Sequence, residues 1–352
     1  MKLLFFSILV VSFFSSCSQQ KIDANDPNIY YTGRIDFSDP KVAKFAWPGT
    51  SVKAKFEGKK CAVKLNGYGY YNILVDGEIK VVEIKGRDTT YTIESLNGGA
   101  HTIEVFKRTE GFVGNGEFKG FELEHGKKLL PVEKLKHRIE FIGNSITCGY
   151  GNEGESEFCH FTPITENHYM AYAAITARSL KAEHHVVAFS GKGLTRNYDM
   201  TTTETMPDLY DRIFPFEPTI KWDFNKWTPD AVVINLGTND FAHTNPDSTE
   251  WVNAYLNFIK TIRSHYPQAY IFCTNGPMAN DKWPEGHQAL TILKKYINAV
   301  VEKAQANGDT KIASFFYTSQ APPFGCDYHP SVKTHQKMAD ELTPFIKQKL
   351  NW

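Results

Sequence analysis

Residues 231–240 read Ala231-Val232-Val233-Ile234-Asn235-Leu236-Gly237-Thr238-Asn239-Asp240, and this stretch decides the fold. A strand with one wet face alternates apolar and polar side chains. This one is apolar at nearly every position before the glycine, as expected of a strand buried on both faces in a parallel sheet covered by helices. It then ends in a cluster of turn residues rather than running on to helix length. The same kind of segment recurs to either side. Strands are predicted at 138–142, 185–189, 269–274 and 311–316, and helices at 169–181, 250–265, 287–306 and 331–350. Strands alternating with helices predict an α/β domain with a parallel sheet over residues 138–352.

Upstream the period changes. Short β-branched or alternating runs stand at 51–56, 61–65, 71–75, 80–84, 89–93, 101–106 and 118–123. Turn signals separate them: Asn66-Gly67, Asp76-Gly77 and Asn97-Gly98-Gly99. Asp76-Gly77 lies between two apolar runs and predicts a hairpin. No helical stretch intervenes, so residues 29–126 read as a small all-β sandwich. Residues 127–137 read as a linker, and the polar residues 18–28 as a tether.

The first residues read as a targeting segment. Lys2 gives a short positive start, and residues 3–14 form an apolar run too short to span a bilayer as a permanent helix. Ser15-Ser16-Cys17 then places small residues directly before a cysteine. This resembles the lipobox of a bacterial lipoprotein signal, in which the cysteine carries the lipid, although Phe14 stands where Leu is usual. Residues 1–17 are therefore expected to direct export, with Cys17 as lipid anchor; an ordinary cleaved secretory signal is the alternative.

With 39 basic and 39 acidic residues and no long charge run, the chain has no electrostatic footprint for nucleic acid. Five cysteines remain after Cys17, an odd number without CxxC spacing, so at least one thiol is expected unpaired if the rest pair within the chain. Cys148 and Cys159 flank a glycine-rich loop and can pair in an oxidising compartment; two buried thiols is the other reading. His160, His184 and His185 are not at metal-ligand spacing and read as structural. No metal or organic cofactor is expected.

Chemistry in an open α/β sheet gathers at the carboxyl ends of its strands, and four such ends carry unusual residues. The first is Gly143-Asn144-Ser145-Ile146-Thr147, where a serine hydroxyl would stand near free backbone N–H groups. It is not the GxSxG elbow, and an anion-binding turn with a capping serine is the bland alternative. The second is Ser190-Gly191-Lys192-Gly193, whose glycines let backbone approach a substrate. The third is Gly237-Thr238-Asn239-Asp240, where an Asn amide can face a developing oxyanion or merely cap a helix. The fourth is Cys326-Asp327-Tyr328-His329-Pro330-Ser331, placing a histidine beside an acid at the mouth of the last helix.

In this order the four blocks resemble the SGNH hydrolase superfamily. The resemblance implies a flavodoxin-like parallel-sheet fold with Ser145 as nucleophile, the N–H groups of Ser145 and Gly191 and the amide of Asn239 as oxyanion hole, and His329 as base. With the preceding β-domain, which the resemblance makes a jelly roll, the chain is similar to carbohydrate esterase family two. Those enzymes remove O-acetyl groups from polysaccharides such as xylan and glucomannan. Asn144 stands where the superfamily has Asp. Cys326 stands three before the histidine, where an acid is usual, so Asp327, two before it, is the candidate third member; a backbone carbonyl is the alternative.

The expected activity is thus acetyl-ester hydrolysis through an acyl-serine on an acetylated polysaccharide or oligosaccharide. Tyr198, Trp283 and Tyr328 are candidate sugar-stacking residues, with ordinary packing as the alternative for each. An esterase for lipid or cell-wall acyl groups, and a sugar-binding lipoprotein with a dead hydrolase domain, are the competing readings. The protein is expected outside the cytoplasm, touching a membrane only through its lipid.

Overall fold

The structure, a computed structural model, describes residues 19–352. Cys17 and the expected signal segment lie outside the described residues. Eleven strands make the N-terminal part: β1 (Gln20–Ile22), β2 (Tyr30–Thr32), β3 (Asp36–Asp39), β4 (Val42–Phe45), β5 (Ser51–Glu57), β6 (Cys61–Val75), β7 (Glu78–Lys85), β8 (Thr89–Ile93), β9 (Ala100–Lys107), β10 (Gly116–Leu123) and β11 (Leu129–Leu130). All their pairings are antiparallel. The first half of β6 pairs with β8 and β10, and its second half with β7 and β9, so this one strand passes from one sheet to the other. Asn66-Gly67, expected as a turn, therefore lies inside a continuous strand. A Cβ on Gly67 would stand 2.1 Å from the Asn115 carbonyl, which is why a glycine marks that bend. Asp76-Gly77 does close a two-residue hairpin, with Val75 opposite Glu78.

Two polar segments are more than connectors. The expected tether contributes β1, which pairs with β10, and buries Ile22 and Ala24. The expected linker contributes β11, which pairs with β5, and buries Leu129. Strands of two or three residues are too short to show a period, and what recruits them is the open edge of the sheet they meet.

The C-terminal part holds β12 (His137–Gly143), β13 (Ala182–Ala188), β14 (Ala231–Asn235), β15 (Tyr270–Thr274) and β16 (Ile312–Phe315). They form one parallel sheet in the order β13-β12-β14-β15-β16. Counted within the domain this is 2-1-3-4-5, the flavodoxin-like order, and its switch point lies between β12 and β14. The helices are α1 (Ser145–Cys148), α2 (Tyr172–Ser179), α3 (Met206–Leu209), α4 (Ser248–His265), α5 (Ala289–Ala306) and α6 (Val332–Leu350). Val232 and Ile234 of β14 face a core with Trp251 and Ile259 of α4 and Leu293 and Ile297 of α5. Ala231 and Val233 face Tyr172 of α2 and Met338 and Leu342 of α6. The period-2 pleat thus delivers apolar side chains to both layers.

The two parts are not beads on a string. Trp47 is fully buried in the core of the α/β part and donates Nε1–H to the Arg212 carbonyl at 3.1 Å. Arg34 meets Glu140 of β12 at 3.0 Å, both side chains fully buried, and Tyr210 Oη–H donates to the same carboxylate at 2.8 Å. Removing one partner of such a pair typically costs about 3–5 kcal/mol, because the other charge stays buried. The two parts therefore share a buried seam, which reaches Ser190 beyond β13 through Glu110.

Candidate active site

Ser145 lies two residues beyond β12, at the switch point, as the first residue of the one-turn helix α1. Asn144 caps that turn, its Oδ1 accepting from the Ile146 N–H at 3.2 Å. The Asn in place of the expected Asp thus serves as a cap, which an amide oxygen does as well as a carboxylate. The register puts Gly143 level with Ala188 of β13 and Asn235 of β14. Gly191 and Asn239 follow those strand ends directly, so three adjacent strands deliver Ser145, Gly191 and Asn239 to one rim.

His329 comes to the same rim from the loop before α6. Its Nε2 lies 2.9 Å from Ser145 Oγ, and its Nδ1 lies 3.1 Å from the Asp327 backbone carbonyl. A carbonyl can only accept, so Nδ1 carries the proton and Nε2 is the free base facing the hydroxyl. Enclosure by protein pushes the imidazole down to about 4, only partly offset by the Asp327 carbonyl and carboxylate. The ring is therefore neutral at neutral pH. Tyr150 lies against it, ring centroids 4.2 Å apart.

The Asp327 carboxylate, expected beside the imidazole, points elsewhere. It accepts from Tyr150 Oη–H at 3.0 Å and the Phe161 N–H at 2.9 Å, and pairs with His160 Nδ1 at 2.9 Å. Burial works to raise its pKa, but these partners outweigh it and hold the carboxyl below its ordinary value. Asp327 has φ +52°, and in this left-handed backbone its carbonyl meets the imidazole while its side chain turns to the 150–161 loop. Cystine geometry is likewise corrected. Cys159 pairs with Cys326, while Cys148 is a buried free thiol beneath Ser145. The disulfide and the Asp327 carboxylate together staple the histidine loop to the loop that follows the serine.

Gly191 has φ +79°, and a Cβ there would meet nothing within 4 Å, so its backbone borders open space. Asn239 is buried, and its Nδ2 donates one hydrogen to the Lys192 carbonyl at 2.7 Å, leaving the second amide hydrogen. Asp240, buried beside it, accepts from the N–H groups of Leu194, Thr195 and Arg196. The second and third loops are thus tied together.

Residues 31–132 match the model of the carbohydrate esterase 2 N-terminal domain. Residues 141–337, more than half of the chain, match that of the GDSL-like lipase/acylhydrolase family. The acetylxylan esterase / glucomannan deacetylase of Cellvibrio japonicus is 30% identical, with all of both chains covered. The chain belongs to carbohydrate esterase family two. The family also includes a solved esterase from Clostridium thermocellum in complex with cellohexaose, similar at TM-score 0.87 and 42% identity over 92% of this chain and 99% of that one. The cellulase/esterase CelE of Acetivibrio thermocellus is 43% identical over 340 residues, 95% of this chain but 41% of that protein. The chain therefore spans less than half of that relative.

Within this family-two site the three aromatic candidates are all exposed: Tyr198 by 57%, Trp283 by 69% and Tyr328 by 53%. Tyr328 precedes His329. The Tyr198 N–H donates to the Gly191 carbonyl at 2.8 Å, and Trp283 stands on the loop that follows β15. Two of the rings also keep packing partners: Tyr328 lies 6.2 Å from Phe158 and 6.0 Å from Phe324, and Tyr198 lies 5.1 Å from His243, centroid to centroid. His184 and His185 are buried within β13, which starts at Ala182 rather than at 185. His184 stacks with His168, and His185 on Trp227 with centroids 3.6 Å apart. Burial pushes both imidazoles well below their ordinary value.

Among the described residues one group brings possible metal-binding atoms together: Glu110, Cys148 and Glu166, within 4.8 Å of one another and all buried. Lys107, fully buried, adds a positive charge that acts on both carboxyls. Burial followed by the Glu110 charge raises Glu166 well above its ordinary value. Sequence reading missed this cluster, Asp240 and Tyr150. Only the acid of the Asn-Asp pair gave any signal.

Proposed function

We propose that this protein is a serine esterase that removes O-acetyl groups from polysaccharides or oligosaccharides of the xylan and glucomannan kind. The observation that carries the reading is the Ser145 Oγ–His329 Nε2 contact of 2.9 Å, with Nδ1–H held by a carbonyl, in a chain of carbohydrate esterase family two. His329 takes the hydroxyl proton as Ser145 Oγ bonds to the acetyl carbonyl carbon. The N–H groups of Ser145 and Gly191 and the Asn239 amide receive the oxyanion; losing one such donor typically slows turnover by about 10²–10³. His329 returns the proton to the sugar's ester oxygen as its bond to the carbonyl carbon breaks, and the sugar leaves with a free hydroxyl. Water then releases acetate from the acyl-serine by the same path. Asp327 acts through its backbone carbonyl, so the reacting pair is a dyad.

Tyr198, Trp283 and Tyr328 are assigned to sugar stacking, which their exposure on loops beyond the carboxyl ends of the strands supports. The antiparallel part is read as a jelly roll, and β6 running through both sheets supports that. Export with lipid anchoring at Cys17 remains the reading for the N-terminus, and a Cys159–Cys326 disulfide suits an oxidising compartment. The intact dyad argues against a dead binding protein. The test is acetate release from acetylated xylan and glucomannan, and hydrolysis of 4-nitrophenyl acetate against the octanoate. Wild-type protein should favour acetate, and Ser145→Ala should keep the fold and lose all but a trace of activity. Equal or reversed acyl preference would move the assignment to a lipid esterase.

A further inference from the structure

The N-terminal domain reaches the catalytic rim through Glu110, and Phe112 beside it packs edge-on against Phe189. At the end of β9, Lys107 donates Nζ hydrogens to the carbonyls of Thr109 at 2.6 Å and Glu110 at 3.3 Å, which fixes the chain that carries Glu110. The Glu110 N–H donates to Glu166 Oε2 at 3.0 Å. Its carboxylate accepts from Ser190 twice, from the N–H at 2.8 Å and from Oγ–H. All three charged residues are fully buried. Ser190 is the residue before the oxyanion glycine. Its own N–H is consumed by Glu110, so the next N–H along the chain is that of Gly191. On the other side, the Gly191 carbonyl is pinned by the Tyr198 N–H. The peptide carrying the Gly191 N–H is thus fixed at both ends, and one of the two fixing groups comes from the other domain. Glu110 also lies within 4.8 Å of Cys148 Sγ, at the end of the Ser145 turn.

We propose that Glu110 is a positioning residue for the esterase reaction, by which the N-terminal domain holds Ser190 and so aims the Gly191 N–H at the oxyanion. The proposal rests on the esterase reading given above. Its physical content is preorganisation: an oxyanion donor stabilises the transition state only if it need not reorient as charge develops. The α/β domain on its own has lost this restraint. The N-terminal domain is then part of the catalytic apparatus, in addition to any contact it makes with sugar. Burial raises the Glu110 carboxyl above its ordinary value, and the two Ser190 donors, Glu166 and Lys107 work against that rise.

The test compares Glu110→Gln, Ser190→Ala and the double variant with wild type in the full chain. Kinetics on 4-nitrophenyl acetate are read with thermal unfolding and with inhibition by phenylboronic acid, whose tetrahedral adduct on the serine places an oxygen in the oxyanion site. Glu110→Gln leaves one oxygen for the two Ser190 donors, so Ser190 Oγ must turn to accept from the new NH2, and the charge on both contacts is lost. Its kcat should fall by about 10- to 100-fold, less than the loss of a whole donor, with KM changed by less than about threefold. Phenylboronic acid should weaken in step with kcat/KM. Ser190→Ala removes only the Oγ–H contact and should fall less, and the double variant should fall little further than Glu110→Gln, because both changes act on the same residue pair. Wild-type kcat in a folded Glu110→Gln, or a loss confined to KM, would overturn the proposal. If Glu110→Gln does not fold, Ser190→Ala decides, and unchanged kcat there overturns it. Wild-type protein without acetate-ester turnover would instead remove the esterase reading itself.

Discussion

Replacing Asp327 by Asn separates a triad from a dyad. If the carboxylate oriented His329, Asp327→Asn would favour the wrong tautomer and lower kcat by about 10⁴. The geometry predicts much less. The carbonyl that accepts from Nδ1 belongs to the backbone and survives the change. Oδ2 accepts from both Tyr150 Oη–H and the Phe161 N–H, and Oδ1 faces only His160 Nδ1. An Asn that places its oxygen at Oδ2 keeps both donors, and its NH2 can donate to a neutral His160. The φ of +52° is one that Asn tolerates. What disappears is charge assistance, about 1–2 kcal/mol over the whole clamp. Even if all of it became misplacement of His329, kcat would fall by about 5- to 30-fold at 1.36 kcal/mol per decade. The assay is kcat on 4-nitrophenyl acetate with thermal unfolding as the fold control. A loss of about 10³ or more in a folded variant would refute the dyad and return the carboxylate to the imidazole.

The remaining expectations can be stated briefly. His329 is depressed to about 4, and only its neutral form is a base, so kcat/KM should stay level from neutral pH downward and fall only near pH 4; an acid limb at the ordinary imidazole value of 6.5 would contradict the enclosure argument. The Cys159–Cys326 bridge spans 167 residues, so replacing both cysteines by Ser should destabilise the chain by up to about 5 kcal/mol on the loop-entropy model; unchanged urea unfolding and unchanged kcat would deny the staple any role. Cys17→Ser should release the protein from membranes, and continued association in fractionated cells would remove the lipid-anchor reading.

The sequence by itself determined what depends on local pattern. The apolar run 231–236 and its neighbours gave the parallel sheet, because a strand buried on both faces has no polar register to show. The blocks around Ser145, Gly191, Asn239 and His329 were legible because each directly follows a strand or precedes a helix, where the chain leaves the sheet. β13 was read three residues short, since Glu183 and His184 look like surface residues and are buried only because Trp227 and His168 cover them. What needed the tertiary structure is whatever depends on a partner far along the chain. Glu110 and Ser190 are 80 residues apart, and Cys159 finds Cys326 rather than Cys148. Asp327 lies two residues from His329, yet its role was still not local. Two successive left-handed residues, Asp327 and Tyr328, send the Asp327 carbonyl to the imidazole and its carboxylate to Tyr150, a choice made by the loop packed against them.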